Sequence, residues 1–326
     1  MDGHQPSVLV TGGSGYLGQF VVEHLGLLGY KVVFTHYTTA APAFRWADIT
    51  AQWVDLATGE GLAECFDVHK PFSAIINTAA MSQPTLCGRD PALARSVNVP
   101  QKLVTILKEH FPEPAQQPLL VHLSTDNVYD GSKAGWKEED ACEPVNAYGA
   151  SKLEAEHYLQ ANWRKLVILR CSIIYGPQSP VPVARPLFLQ FIAQQLAEQK
   201  LTTFFYDEFR SPVYVMDVVN ILVKLLAMSE APIGRVYNVG GPHRLSRLDM
   251  ARQVAEVWGL SSEAIVPAPC SSVQRPVRSP ADISMDSSRL EDELGVQMTS
   301  FREALRQMHE TDSRNRDAQD IDFERT

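Results

Sequence analysis

The chain has no run of eighteen apolar residues, so no segment reads as a membrane-spanning helix. It has no excess of positive charge. Lys and Arg number 29 against 38 Asp and Glu, a net charge of −9, which argues against a nucleic-acid surface. An anionic substrate would therefore be held by a few placed cations. Its five cysteines (Cys65, Cys87, Cys142, Cys171, Cys270) show no CxxC spacing. An odd set without a framework points to reduced thiols in a cytoplasmic protein. The nine histidines lack metal-ligand spacing, so no metal site is expected. The opening Met1-Asp2-Gly3-His4-Gln5-Pro6 has no basic region ahead of an apolar stretch and does not read as a signal peptide. No internal repeat or low-complexity tract is visible. What remains is a 326-residue chain, 45% hydrophobic and 21% charged, the balance of a soluble globular protein with a core.

Hydrophobic patterning alternates between strand and helix. Strands are expected at Ser7–Val10, Lys31–Thr35, Ala51–Leu56, Ala74–Asn77, Leu119–Leu123 and Leu166–Arg170. Helices are expected at Gly15–Leu28, ended by Gly29, and at Gly61–Val68, Pro91–His110 and Ala147–Asn162. The spacing suits βαβ crossovers, and the continuous apolar strands suit a sheet covered on both faces. This predicts an α/β fold with a doubly wound parallel sheet. After Tyr175 the character changes to a Pro-rich loop. Helices are expected at Pro186–Gln199, Val215–Met228 and Leu248–Trp258, with strands at Leu201–Phe205 and Val236–Val239 and loop over Pro267–Pro280. Three regions follow: 1–175 as a dinucleotide-binding domain, 176–308 as a smaller α/β substrate lobe mixed with returning segments, and 309–326 as a charged, flexible tail.

Two motifs carry chemistry. Gly12, Gly15 and Gly18 form G-x-x-G-x-x-G between the first strand and first helix. Gly12 permits the tight turn, Gly15 admits a pyrophosphate against bare backbone, and Gly18 lets the helix pack close. The helix N-terminus offers free N–H groups to phosphate. The second strand ends Phe34-Thr35-His36-Tyr37-Thr38-Thr39, without the acidic residue that grips the ribose of NAD. His36 and neighbouring hydroxyls could accept a 2′-phosphate, so NADP is preferred, with NAD possible. Asp55 and Leu56 could flank the adenine, and Asp55 could equally cap a helix. The second motif is Tyr148 with Lys152, one helical turn apart. A nearby ammonium favours the phenolate and moves the phenol toward useful acid–base chemistry. Thr125, at the end of the fifth strand, could orient a carbonyl. Asp126 could touch substrate hydroxyls or cap the next turn.

At these residues the chain resembles the extended short-chain dehydrogenases/reductases, and more narrowly the dTDP-4-dehydrorhamnose reductase group. The residues that carry the likeness are Thr11–Gly18, Asn77-Thr78-Ala79-Ala80, Ser124–Gly131, Glu138–Asp140, Pro144–Glu154, Arg170-Cys171-Ser172, Asp207–Val213, Arg275-Pro276 and Asp286–Leu290. The resemblance implies a Rossmann sheet. It also implies Tyr148 as acid, Lys152 as its partner and Thr125 as the carbonyl-orienting hydroxyl. Tyr16, Leu17, Ala79, Ala80 and Asn98 would join the glycines beside the cofactor. Ser82, Thr125, Asp126, Arg210 and Arg275 would face a nucleotide-linked 4-keto-6-deoxy sugar. Arg210 could instead pair with Asp207 or Glu208. Arg185 and Arg278 are further candidates for the substrate phosphates. The regulatory β-subunits of methionine adenosyltransferase share the same motifs, which implies a rival role as an NADP-binding partner of that enzyme's catalytic subunit. A sugar-nucleotide epimerase is a third possibility. The helices Pro91–His110 and Ala147–Asn162 could pair in a homodimer.

Overall fold

The computed structural model describes residues 7–311. The opening hexapeptide and the part of the expected tail beyond 311 lie outside the described residues. Seven parallel strands form the main sheet. They are β1 (Ser7–Thr11), β2 (Lys31–His36), β3 (Ile49–Trp53), β4 (Ala74–Asn77), β5 (Leu119–Thr125), β6 (Leu166–Cys171) and a returning edge strand, Arg235–Val239. Their order is Arg235–Val239, β6, β5, β4, β1, β2, β3. The winding direction reverses between β1 and β4. Loops leaving those two strands therefore part to opposite faces and open a crevice at their carboxyl ends.

Central strands β1 and β6 are buried at every residue, as continuous apolar runs require. One face is covered by α1 (Tyr16–Leu27) and the helix Val215–Ala227, whose Val21, Leu25, Val218 and Leu222 share a core. The other is covered by α2 (Leu62–His69) and later helices through Phe66, Leu103, Leu107 and Leu159. The expected helix Pro91–His110 is in fact two. After α3 (Pro84–Arg89) come α4 (Pro91–Asn98) and α5 (Gln101–His110). Pro100 has no N–H to donate and forces Val99 into an extended conformation, so the helix cannot run through. Asp90 restarts the chain by capping α4, its Oδ1 accepting from Leu93 N at 2.9 Å. α6 (Ala147–Asn162) follows the expected bounds, capped by Asn146. α4 and α6 pack on each other within the chain, so apolar surface expected at a dimer contact is partly spent internally.

The second half builds its own core. The helices Phe188–Ala197, Arg247–Trp258 and 301–311 bury Ile192, Val254, Phe301 and Leu305 together. The parallel pair Thr202–Phe205 and Ile265–Ala268 closes it. The expected Pro267–Pro280 loop thus begins as strand, with Pro267 accommodated on an edge. Among the described residues no helix is long and apolar enough to cross a membrane.

Candidate active site

β1 runs into Gly12, whose φ of 70° lies in the left-handed region that strains a side chain. A Cβ there would also come within 2.7 Å of Ala79 Cα, in the loop after β4. Gly18 lies against the Gly12 carbonyl with no room for a Cβ, so α1 is seated on the loop. Gly15 differs. The nearest atom to a Cβ there would be Gly12 O at 3.2 Å, and the residue lines the crevice. It is the N-cap of α1 and brings no side-chain cap, so first-turn N–H groups remain for a ligand. A pyrophosphate fits such a cradle, which a Cβ at Gly15 would fill.

The crevice holds about 720 Å³. Tyr16, Leu17, His36, Asp55, Leu56, Ala79, Ala80 and Ser82 line it, as do Thr125, Asp126 and Tyr148. His36 Nδ1 is buried without a hydrogen-bond partner, a donor or acceptor still to be used. Thr35 is committed, its Oγ1 accepting from Gly12 N at 2.9 Å. Asp55 Oδ1 accepts from Ala57 N at 2.8 Å, so it caps a turn while facing the crevice. Asn98 stands behind the wall. Its Oδ1 accepts from Met81 N at 2.7 Å and its Nδ2 donates to Ser151 Oγ at 2.8 Å. It is a strut tying the loop after β4 to α6, not a lining residue.

Thr125 ends β5 and Tyr148 opens α6. Gly149 presses against the Asn127 carbonyl with no space for a Cβ, which brings the first turn of α6 onto the turn after β5. Thr125 and Tyr148 both line the crevice as a result. Burial pushes the Tyr148 phenol up, and the Thr125 hydroxyl opposes that only in part. The phenol stays protonated at neutral pH, which suits a proton donor. Thr125 Oγ1 donates to Asp126 Oδ1 at 3.1 Å, and Asp126 Oδ2 accepts from Ser172 Oγ at 2.8 Å. Asp126 therefore orients Thr125. Burial pushes its carboxyl up, against the pull of the Arg210 charge and its own hydrogen bonds.

Lys152 departs from expectation. The sequence places it on the helix face of Tyr148, yet it is 1% exposed and lies behind the crevice lining. Its Nζ is 3.1 Å from His122 Nε2 in β5. Burial lowers its pKa to about 8, opposed by Glu156. Burial and the Lys152 charge drive the His122 imidazole well down, so the ring is neutral. Below this pair lies a second network that the motifs did not point to. Ser124 Oγ donates to Glu156, and Arg170 clamps Glu156 Oε2 through Nη2 at 2.7 Å and Nε at 3.1 Å. Arg170 Nη1 also donates to Tyr129 Oη at 3.0 Å, and Tyr129 Oη to Asn238 Oδ1 at 2.8 Å. The network locks β5, β6, α6 and the edge strand together.

Neither cation expected at the substrate lines this crevice. Arg210 is 3% exposed, and its guanidinium donates to the carbonyls of Phe209 and Pro280 and to Ser279 Oγ. It holds no ion pair with Asp207 or Glu208. Glu208 is taken by Arg275 Nη1 at 2.6 Å, and Asp207 Oδ1 accepts from Cys270 N at 2.7 Å. Arg275 stacks on Phe205, with one nitrogen, Nη2, buried and unpartnered. Arg185 and Arg278 are exposed and also stand off the crevice lining.

Comparison with known proteins places the chain in a family and a fold. The probable low-salt glycan biosynthesis reductase of Haloferax volcanii is 28% identical, over 91% of this chain and 95% of that protein. Methionine adenosyltransferase 2 subunit beta of Danio rerio is 26% identical, over 92% of this chain and 88% of its own length. A solved dTDP-4-dehydrorhamnose reductase from Bacillus anthracis, in complex with NADP, has the same fold at a TM-score of 0.78 and 21% identity, covering 94% of this chain and 99% of that one. The UDP-glucose 4-epimerase of Thermus thermophilus, in complex with NAD, has it at 0.76 and 26%, covering 93% and 98%. The family described as the RmlD substrate binding domain matches residues 6–313, and the chain belongs to it.

Proposed function

We propose that the protein is a cytoplasmic, NADPH-dependent reductase of a nucleotide-linked 4-keto-6-deoxy sugar, of the kind used to make dTDP-rhamnose. The observation that carries this reading is that Thr125 and Tyr148 line the same 720 Å³ crevice as the glycine loop. The cofactor's pyrophosphate would rest at Gly15 and the first turn of α1. Its adenosine end would lie against His36, Tyr37, Thr38, Asp55 and Leu56. When bound, NADPH supplies a hydride for C4 of the sugar. Thr125 would turn its hydroxyl proton from Asp126 to the carbonyl oxygen and hold it beside the phenol, and Tyr148 donates its proton to that oxygen as negative charge develops there. Asp126 and Ser172 keep the Thr125 hydroxyl in place.

The test mixes the protein with NADPH and dTDP-4-dehydrorhamnose and follows loss of nicotinamide absorbance. Turnover supports the reductase. The similarity to methionine adenosyltransferase 2 subunit beta over 302 residues favours a second reading, a regulatory subunit. Tight NADP binding without turnover, together with co-purification with the catalytic subunit of methionine adenosyltransferase, would select it. Exchange of C4 epimers without net cofactor consumption would select an epimerase.

The preference for NADP rests on hydroxyls and one imidazole. Among the described residues lining the crevice there is no Lys or Arg. His36, with its unpartnered Nδ1, and the adjoining hydroxyls would receive the 2′-phosphate. His36→Asp is expected to weaken NADP about tenfold, since ~1.4 kcal/mol of repulsion is a factor of ten. NAD affinity should hold. Fluorescence titration of both cofactors decides it, and equal weakening would remove His36 from 2′-phosphate recognition.

A further inference from the structure

Four buried side chains form a polar line across the sheet: Thr11, Asn77, His122 and Lys152. Thr11 pairs with Asn77, and Asn77 with His122, in register on β1, β4 and β5. Thr11 Oγ1 donates to Asn77 Oδ1 at 2.6 Å, and Asn77 Nδ2 lies 3.0 Å from His122 Nδ1. The line ends at Lys152 Nζ, 3.1 Å from His122 Nε2. None of the four lines the crevice.

A neutral imidazole donates from one nitrogen and accepts at the other. With Asn77 Nδ2 donating to Nδ1, the ring proton sits on Nε2 and Lys152 accepts it as a free amine. Half a turn of the Asn77 amide reverses every donor. Nδ2 then donates to Thr11 Oγ1, His122 Nδ1–H donates to Asn77 Oδ1, and Nε2 accepts from the Lys152 ammonium. The amide oxygen and nitrogen of Asn77 exchange places, and the other heavy atoms keep theirs. The second arrangement holds one proton more, on Lys152, exchanged with solvent. The ring proton only moves between Nδ1 and Nε2.

We propose that Thr11, Asn77 and His122 form a two-state hydrogen-bond chain that follows the charge of Lys152, with His122 the positioning residue that holds the amine behind the crevice wall. The groups facing Lys152 are Glu156 on its own helix, His122 from β5 and Cys171 from β6. Glu156 favours the ammonium, while burial favours the amine. His122 remains neutral throughout, so the switch is a change of tautomer and adds no second charge. As pH rises through the Lys152 pKa the ammonium gives up its proton and the chain reverses. The two-state chain stands independently of the reductase reading. The positioning role rests on it.

The experiment is NMR of the full chain labelled with nitrogen-15 histidine, between about pH 6 and about pH 10, where ring-nitrogen shifts distinguish the tautomers. The His122 signals are those lost in His122→Gln. The ring proton is expected to pass from Nδ1 to Nε2 with a midpoint near 8. Lys152→Met should abolish the transition. A single tautomer across the range, or a transition that survives Lys152→Met, overturns the chain. In the NADPH assay, His122→Gln can still accept from the ammonium and should keep the alkaline limb of activity. His122→Leu cannot, and should move that limb down by about one pH unit, a tenfold loss at a fixed pH on the limb. An unmoved limb in His122→Leu, with only the melting temperature lowered, overturns the positioning role. The NMR transition in a protein without turnover upholds the chain and sinks the reductase reading alone.

Discussion

Tyr148→Phe is expected to lower turnover by about 10²–10⁴-fold, the usual contribution of a placed general acid. Cofactor affinity should change little, because the glycine loop and the His36 region are untouched. The phenol lines the crevice together with Thr125. Burial holds its pKa high, so it enters the reaction protonated. Removing it leaves the developing alkoxide without a donor. Thr125→Ala should also be slow, and the double variant hardly slower than Tyr148→Phe, because groups that act as a unit do not add. Steady-state kinetics with the keto sugar nucleotide, beside a cofactor titration, measures all three. Near-normal turnover in Tyr148→Phe would take the phenol out of the chemistry.

The second large effect is on stability. Glu156→Ala should cost about 3–5 kcal/mol, because it strands a buried guanidinium. Glu156 is 1% exposed and Arg170 5%. Burial by itself would lower the Arg170 pKa; its hydrogen bonds to Glu156 reverse that and hold the guanidinium firmly charged. Whole domains have only about 5–15 kcal/mol in reserve, so the loss is a large fraction. Urea unfolding of Glu156→Ala, Arg170→Met and the two together is the measurement. The double variant should recover part of the loss, since the cost lies in leaving one charge unpaired. A change within about 0.5 kcal/mol for Glu156→Ala, the size of an ordinary surface substitution, would show that the pair is solvated.

The break at Pro100 was visible in the chain itself, yet a helix through Pro91–His110 follows if apolar periodicity is allowed to outweigh a missing N–H. Tyr148 and Lys152 were legible from their spacing, but spacing could not say which way the amine turns. Its partner His122 lies 30 residues earlier, in β5. Arg210 reads as a ligand or an ion-pair former beside Asp207 and Glu208. The carbonyl that its Nη2 reaches is 70 residues on. Ser172 and Asp126 meet across 46 residues, with no motif to announce the contact.

Residue order alone dictated the wound sheet, the phosphate-ready turn after β1 and the presence of a phenol with a lysine four places on. Those features depend on backbone torsions and periodicities that act within a few residues. Folding decided that the lysine is buried with a histidine, that Arg210 is occupied by carbonyls and that Glu156 and Arg170 neutralise each other beneath the site. The partners and the dielectric around a side chain come from segments distant in sequence, and only their packing brings them together.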